Sequence, residues 1–434
     1  IQGRVLFLIG RVKASLGDRT EALEVLSEAE AALAEEAAEG PVRESLEVRI
    51  RRAEIFLRQP DLAEAERLLD SVRRDLASFD QDVDLWTSWA RLEGRLLHQR
   101  GDLVAAEELF REALARQLPT ENRDRLAVLY GGIALTLEAQ GKFDDAADAY
   151  RRAMQLNQEI HGDRHESSLV VVQNFAGMLS QTGQLEEAEA MFRDSTKVAR
   201  EWLGEEHPLH LVSFTNLLSV LTDRGKTKEA LVHSDEALRL SEAAWGVDHP
   251  RVLILQMNIG NRLLITERFE EAEEMLRIAS DGLSARVGPG APPTLHAQLL
   301  LCEVLLQTAC PSEVIERVDA ALAQAPEGAA PWTLSALRSR RGRAHQALGH
   351  FEAAEVELRA SYESLLEILG PTAVDTIGAQ AMLGQVLLAG DKKADGERLL
   401  CDAHELALEH FSEDHATRKE LESAVEDLDG CPEP

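Results

Sequence analysis

The chain predicts an all-α fold, a solenoid of about ten stacked helix-turn-helix hairpins. Three observations carry this. One short turn recurs at intervals of 40 to 43 residues, beginning at Gly17, Pro60, Gly101, Gly141, Gly183, Gly225, Glu267, Ala309, Gly349 and Gly390. Between turns, apolar residues recur at helical spacing. Small residues recur at fixed distances from each turn. A fixed period of this size means similar supersecondary units, none able to bury its apolar stripe alone, each stacked on the next.

The stretch from Ser168 to Leu203 shows one unit. Leu169, Val172, Phe175, Ala176 and Leu179 form the stripe of a first helix. Gly183 ends it, since positive φ at a helix C-cap is easiest for glycine. Leu185, Ala188, Met191, Phe192 and Val198 form the stripe of a second helix. Glu186 and Glu187 in its first turn favour the positive end of the helix dipole. Seven residues before the turns stand Gly10, Ala53, Gly94, Ala134, Ala176, Gly260, Cys302 and Gly342. Alanine recurs five residues after them (Ala106, Ala146, Ala188) and twelve after them (Ala113, Ala153, Ala237). Bulk at these places would overpack the seam between helices.

A single continuous solenoid is predicted over 1–428, most regular over 85–285 and less regular over 286–410. A mostly polar capping helix follows at about 415–428, with a tail at 429–434. Aromatic residues are only 4%, so alanine and leucine fill the close contacts. The net charge of −31 disfavours nucleic acid and anionic membrane as partners. No apolar run is long enough to span a bilayer, so no membrane insertion is expected. Cys302, Cys310, Cys401 and Cys431 show no CxxC or zinc spacing. Cys302 falls where a small buried residue is wanted and reads as a packed free thiol, consistent with a reducing, cytoplasmic setting.

This register resembles the tetratricopeptide repeat family: a small residue in the first helix, glycine at the turn, two alanines in the second helix. The period is nearer 42 than 34 residues, the added length lying in linkers such as LGEEHP (203–208) and WGVDHP (245–250). That combination looks like the kinesin light chain type, which bacteria use widely in signalling proteins. The resemblance implies a right-handed superhelix with the first helices lining its concave face. Nine residues before the turn, that helix faces the groove, and three consecutive repeats place Asn174, Asn216 and Asn258 there. A carboxamide both donates and accepts, so it suits an extended peptide backbone. Asn261 adds a further polar group, and Arg340 and Arg343 take groove-facing places in a later repeat. Arg91 and Arg95 lie near the same places in an earlier one.

The function expected is therefore a scaffold binding protein or peptide. The alternative is a regulatory or sensor region of a larger signalling protein, for example following a serine/threonine kinase domain. No phosphate-binding loop, nucleophile elbow, HExxH or zinc pattern occurs, so no catalytic residue, metal site or cofactor is expected within the chain. An enzyme domain upstream of Ile1 is compatible with this. His161 with His165, and His207 with His210, are spaced too loosely for a metal set; they read as residues that pack or cap between helices. No oligomeric state follows from the sequence.

Overall fold

The computed structural model describes residues 1–15, 18–36, 42–58, 62–326, 329–412, 415–426 and 428. Among the described residues every regular element is helical. They form two compact units, Ile1–Ser213 and Phe214–Pro434. The expected turns at Gly17 and Pro60 and the tail at 429–434 lie outside the described residues.

In the first unit, helices pack as consecutive pairs: Gln2–Ser15 with Arg19–Glu36, Arg43–Phe56 with Leu62–Asp75, Val83–Arg100 with Leu103–Gln117, Arg123–Ala139 with Phe143–His161, and Glu166–Gln181 with Leu185–Leu203. In the second unit the pairs are Pro250–Ile265 with Phe269–Val287, Pro292–Gln307 with Pro311–Gln324, Pro331–Ala347 with Phe351–Leu369, and Val374–Ala389 with Lys393–His410. Helix Ala416–Val425 closes this unit. Its Leu421 packs into the cluster of Ile377, Leu400 and Ala403. Between the two sets lies Pro208–Asp223, followed by a second helix that breaks at His233 into Thr227–Val232 and Ser234–Trp245.

The seam is as tight as the small residues imply. A Cβ on Gly260 would lie 2.5 Å from Leu276 Cγ, and one on Gly342 would lie 2.6 Å from Leu358 Cγ. The alanines five residues after the turns, Ala106, Ala146, Ala188, Ala230, Ala272 and Ala354, are fully buried. Cys302 is likewise buried and free, and burial pushes its thiol up to about 12. Cys310 is free and exposed, whereas Cys401 is disulfide-bonded.

The turn holds one geometry in spite of its sequence. Gly101, Gly141, Gly183, Gly225 and Gly349 have φ between 73° and 83°, and Glu267 and Ala309 are forced to φ 60° and 57°. A non-glycine residue in this left-handed region costs about 1–2 kcal/mol. Glu267→Gly is therefore expected to stabilise the second unit by about 0.5–1 kcal/mol, the strain relief being partly offset by the greater freedom of glycine in the unfolded chain. A urea midpoint unchanged or lowered in Glu267→Gly would contradict this. Gly390 departs from the set, with φ −92° and ψ −156°.

Histidine does act as a cap in the linkers. Nδ1 of His165, His207 and His249 each accepts the backbone N–H two residues on, at 3.2 Å. His161 stacks on His165 with ring centroids 3.8 Å apart. Acceptance requires an unprotonated Nδ1. For His249, burial and then the charge of Arg251 lower the pKa below its ordinary 6.5. The folded state thus binds the proton less readily than the unfolded chain. Its contribution is fully present above pH 6.5 and is lost as pH falls through the lowered folded value. His249→Asn keeps a capping acceptor that does not titrate. Its melting temperature should fall less than that of the wild type on acidification from neutral pH; parallel falls in the two proteins would refute the cap.

Candidate functional site

A groove lies in the first unit, across three successive first helices: Val83–Arg100, Arg123–Ala139 and Glu166–Gln181. It has a volume of about 640 Å³. Each helix is held at its start by a local cap. Asp82 accepts from Leu85 N–H at 2.9 Å, Asn122 from Arg125 N–H at 3.3 Å, and His165 caps the third.

Two glycines make the groove deep. Gly132 stands nine residues before its turn, where the next repeat carries Asn174. A Cβ there would lie 2.7 Å from Phe110 Cε1, and one on Gly94 would lie 2.8 Å from Phe110 Cζ. Phe110 therefore needs both glycines to seat its ring. Gly131 differs, because a Cβ added to it would meet nothing within 4 Å. It opens into the groove, and in the middle helix the missing side chain leaves the space free. Tyr150 closes the floor, its hydroxyl donating to Glu138 Oε2 at 2.6 Å and its ring stacked on Phe175 at 5.5 Å.

One end of the groove is basic. Arg58, Arg91, Arg95 and His98 all line it. Glu54 is half-buried beside them, accepting from Arg91 at 3.2 Å and from Arg51, with Arg58 at 3.8 Å. Burial alone would raise the Glu54 pKa, but Arg91 and then Arg51 outweigh it and hold the carboxylate below its usual range. Arg95 has no ion pair or hydrogen bond among the described residues. Burial, then the like charges of Arg58 and Arg91, push its pKa down. Burial and Arg95 do the same to His98.

Of the residues expected at the site, Asn174 lines this groove. Asn216, Asn258 and Asn261 lie in the second unit. All four side chains are half-buried, and none forms a hydrogen bond among the described residues. The neighbour of Asn174 behaves differently: Gln173 is buried and donates to Leu209 O at 2.9 Å and Ser213 Oγ at 2.7 Å. Arg340 and Arg343 are occupied internally. Arg340 Nε lies 2.8 Å and Arg343 Nη1 2.7 Å from Glu303 Oε2. Arg340 nevertheless lines a separate cavity of about 350 Å³ in the second unit, beside Trp332 and Met382. Trp332 Nε1 there donates to Asp375 at 2.9 Å.

Sequence reasoning missed Arg58, His98, Gly131 and Gly132. The glycines had a signal: counting nine back from Gly141 reaches Gly132, just as counting nine back from Gly183 reaches Asn174. Among the described residues no group of three His, Cys, Asp or Glu side chains is placed to hold a metal ion, and no helix is long and apolar enough to cross a membrane.

Comparison with known proteins agrees with the architecture. The family model described as the MalT-like TPR region matches residues 76–249. No curated protein matches. Among solved structures, the apo form of the quorum sensor NprR from B. thuringiensis aligns with a TM-score of 0.62 at 15% identity, covering 84% of this chain and 99% of that one. A Rap protein complexed with competence and sporulation factor aligns with a TM-score of 0.54 at 16% identity, covering 88% and 97%. Apo RapI gives 0.55 at 13% identity, covering 79% and 97%. At these identities the likeness concerns the fold, and it meets the turn register, the small-residue seam and the paired helices at the same point: the chain has a tetratricopeptide-like α-solenoid fold, with the family's repeat matched over residues 76–249.

Proposed function

We propose that the chain is a scaffold that binds extended segments of protein or peptide along the first helices of its hairpins, without catalysing a reaction. The observation that carries this is the set of half-buried carboxamides with no partner in the fold. An amide half-withdrawn from water and left unbonded forfeits hydrogen bonds that a passing peptide backbone restores. Asn174 serves in the first unit. Asn216, Asn258 and Asn261 serve in the second, where Arg340 and Arg343 share a single carboxylate and leave one positive charge over. The net charge of −31 favours such a partner over nucleic acid.

The same geometry suits a sensor region of a larger signalling protein. The aligned NprR is a quorum sensor, and the aligned Rap protein was solved with competence and sporulation factor. Both uses require a segment in the groove, so one experiment serves them. Short peptides are selected on the intact chain from a random library, and affinity is measured for wild type and for a variant with Asn174, Asn216 and Asn258 all changed to Ala. Loss of neutral hydrogen bonds of about 0.5–1.5 kcal/mol each predicts a fall of about tenfold or more, with the circular dichroism spectrum unchanged. Equal affinity in the two proteins would exclude the asparagines from the site.

A further inference from the structure

We infer that the basic end of the first unit's groove takes the acidic side chain, Asp or Glu, of an extended peptide, with Arg95 as its direct partner. This rests on the groove reading above and specifies its ligand. Three guanidiniums, those of Arg58, Arg91 and Arg95, face one end of the groove, and the carboxylate beside them is already engaged. Glu54 accepts from Arg51 and Arg91 and lies 3.8 Å from Arg58. Arg95 is half-buried and makes no ion pair or hydrogen bond among the described residues, and the attraction of Glu54, already engaged, is outweighed by its burial and the neighbouring arginines. Among the lining residues the one carboxylate is Glu166, in the first turn of its helix, whereas Arg95 and His98 stand in the last two turns of theirs. A guanidinium partly withdrawn from water beside two like charges is unfavourable until an anion arrives, and its planar fork matches a carboxylate.

Two further observations choose among anions. The groove runs from Arg58 to Asn174, across two intervening hairpins, with Val128, Leu135 and Val170 on its walls. A space of about 640 Å³ takes several residues rather than a free ion. The chain as a whole carries −31, which repels a polyanion at long range. The occupant that fits is a segment with one acidic residue among apolar neighbours, its backbone reaching the carboxamide of Asn174.

The test uses the full chain and short random peptides displayed internally, so that no terminal carboxylate is free. Peptides selected on wild type should share one Asp or Glu, and changing it to Asn or Gln should weaken binding by about tenfold or more. On Arg95→Gln that difference should vanish, while Arg95→Lys should retain part of it and report on charge if the Gln variant folds poorly. Selected peptides without a common acidic residue, or an undiminished acid preference on Arg95→Gln, overturn the inference. So does a library with free C-termini whose binders lose affinity on amidation but not on replacing their acidic side chains. If acid-free peptides bind and Asn174→Ala weakens them, the acidic anchor fails and the groove reading stands. If no peptide binds, both fail.

Discussion

Gly204→Ala is expected to destabilise the protein by about 2–3 kcal/mol, roughly twice the effect of the same change at Gly183. Both glycines have positive φ, and a Cβ on either would meet nothing within 4 Å, so the contrast isolates the backbone. Gly183 sits at φ 81° in the hairpin turn, in the left-handed region that alanine enters at a cost of about 1–2 kcal/mol. Part of that is returned because alanine has less freedom to lose on folding. Gly204 sits at φ 95° and ψ 166°, a region open in practice only to glycine. There it lets the second helix end, with its N–H donating to Arg200 O at 3.1 Å, and turns the chain toward the helix that begins at Pro208. Gly162, Gly246, Gly288 and Gly370 repeat the conformation. Linker glycines should therefore be costlier to replace than turn glycines throughout the repeat. Urea denaturation of the two alanine variants checks this; equal losses, or a larger loss at Gly183, would show that the linker backbone carries no special strain.

The second large effect is on binding. Gly131→Leu should abolish capture of peptides by the first unit's groove while raising stability by about 0.5–1 kcal/mol. Glycine inside a helix costs about that much relative to a good helix former. The new side chain starts in open space and grows into the volume that Val128, Leu135 and Val170 surround. Gly131→Ala adds one methyl and should weaken binding less. The combination of higher stability and lost binding is hard to produce by any route except filling the site. Titration with a selected peptide and a parallel thermal melt decide it. Undiminished affinity in Gly131→Leu would place the ligand elsewhere.

Much of the fold was legible because a repeat states its rule many times. The turn, the small-residue seam and the histidine caps were all readable from position counted along the chain. Glu267 and Ala309 show the strength of that rule, since neighbouring hairpins hold them at a φ their own side chains oppose. The break at His233 was not readable, because the apolar spacing runs on through it.

The site was legible only in part, for a physical reason. Counting from the turn reached Asn174 and Arg95, which line the groove, but could not tell whether a neighbour already satisfies such residues. Arg95 and Arg343 both stand six residues before a turn glycine. Arg343 is engaged by Glu303, forty residues before it, whereas the carboxylate nearest the Arg95 cluster is taken by other arginines. Asn174 and Gln173 are adjacent amides, one unbonded and one locked to Ser213. Partnership of this kind depends on residues brought from other hairpins, and that is where the reading along the chain stopped.

A peptide lying along the first helices of the first unit should shield their backbone. Hydrogen–deuterium exchange of the full chain, with and without a selected peptide, tests this most directly. Added protection is expected to concentrate in Val83–Arg100, Arg123–Ala139 and Glu166–Gln181, and to be absent in Gly131→Leu. Protection confined to the second helices of these hairpins, or unchanged by Gly131→Leu, would contradict it.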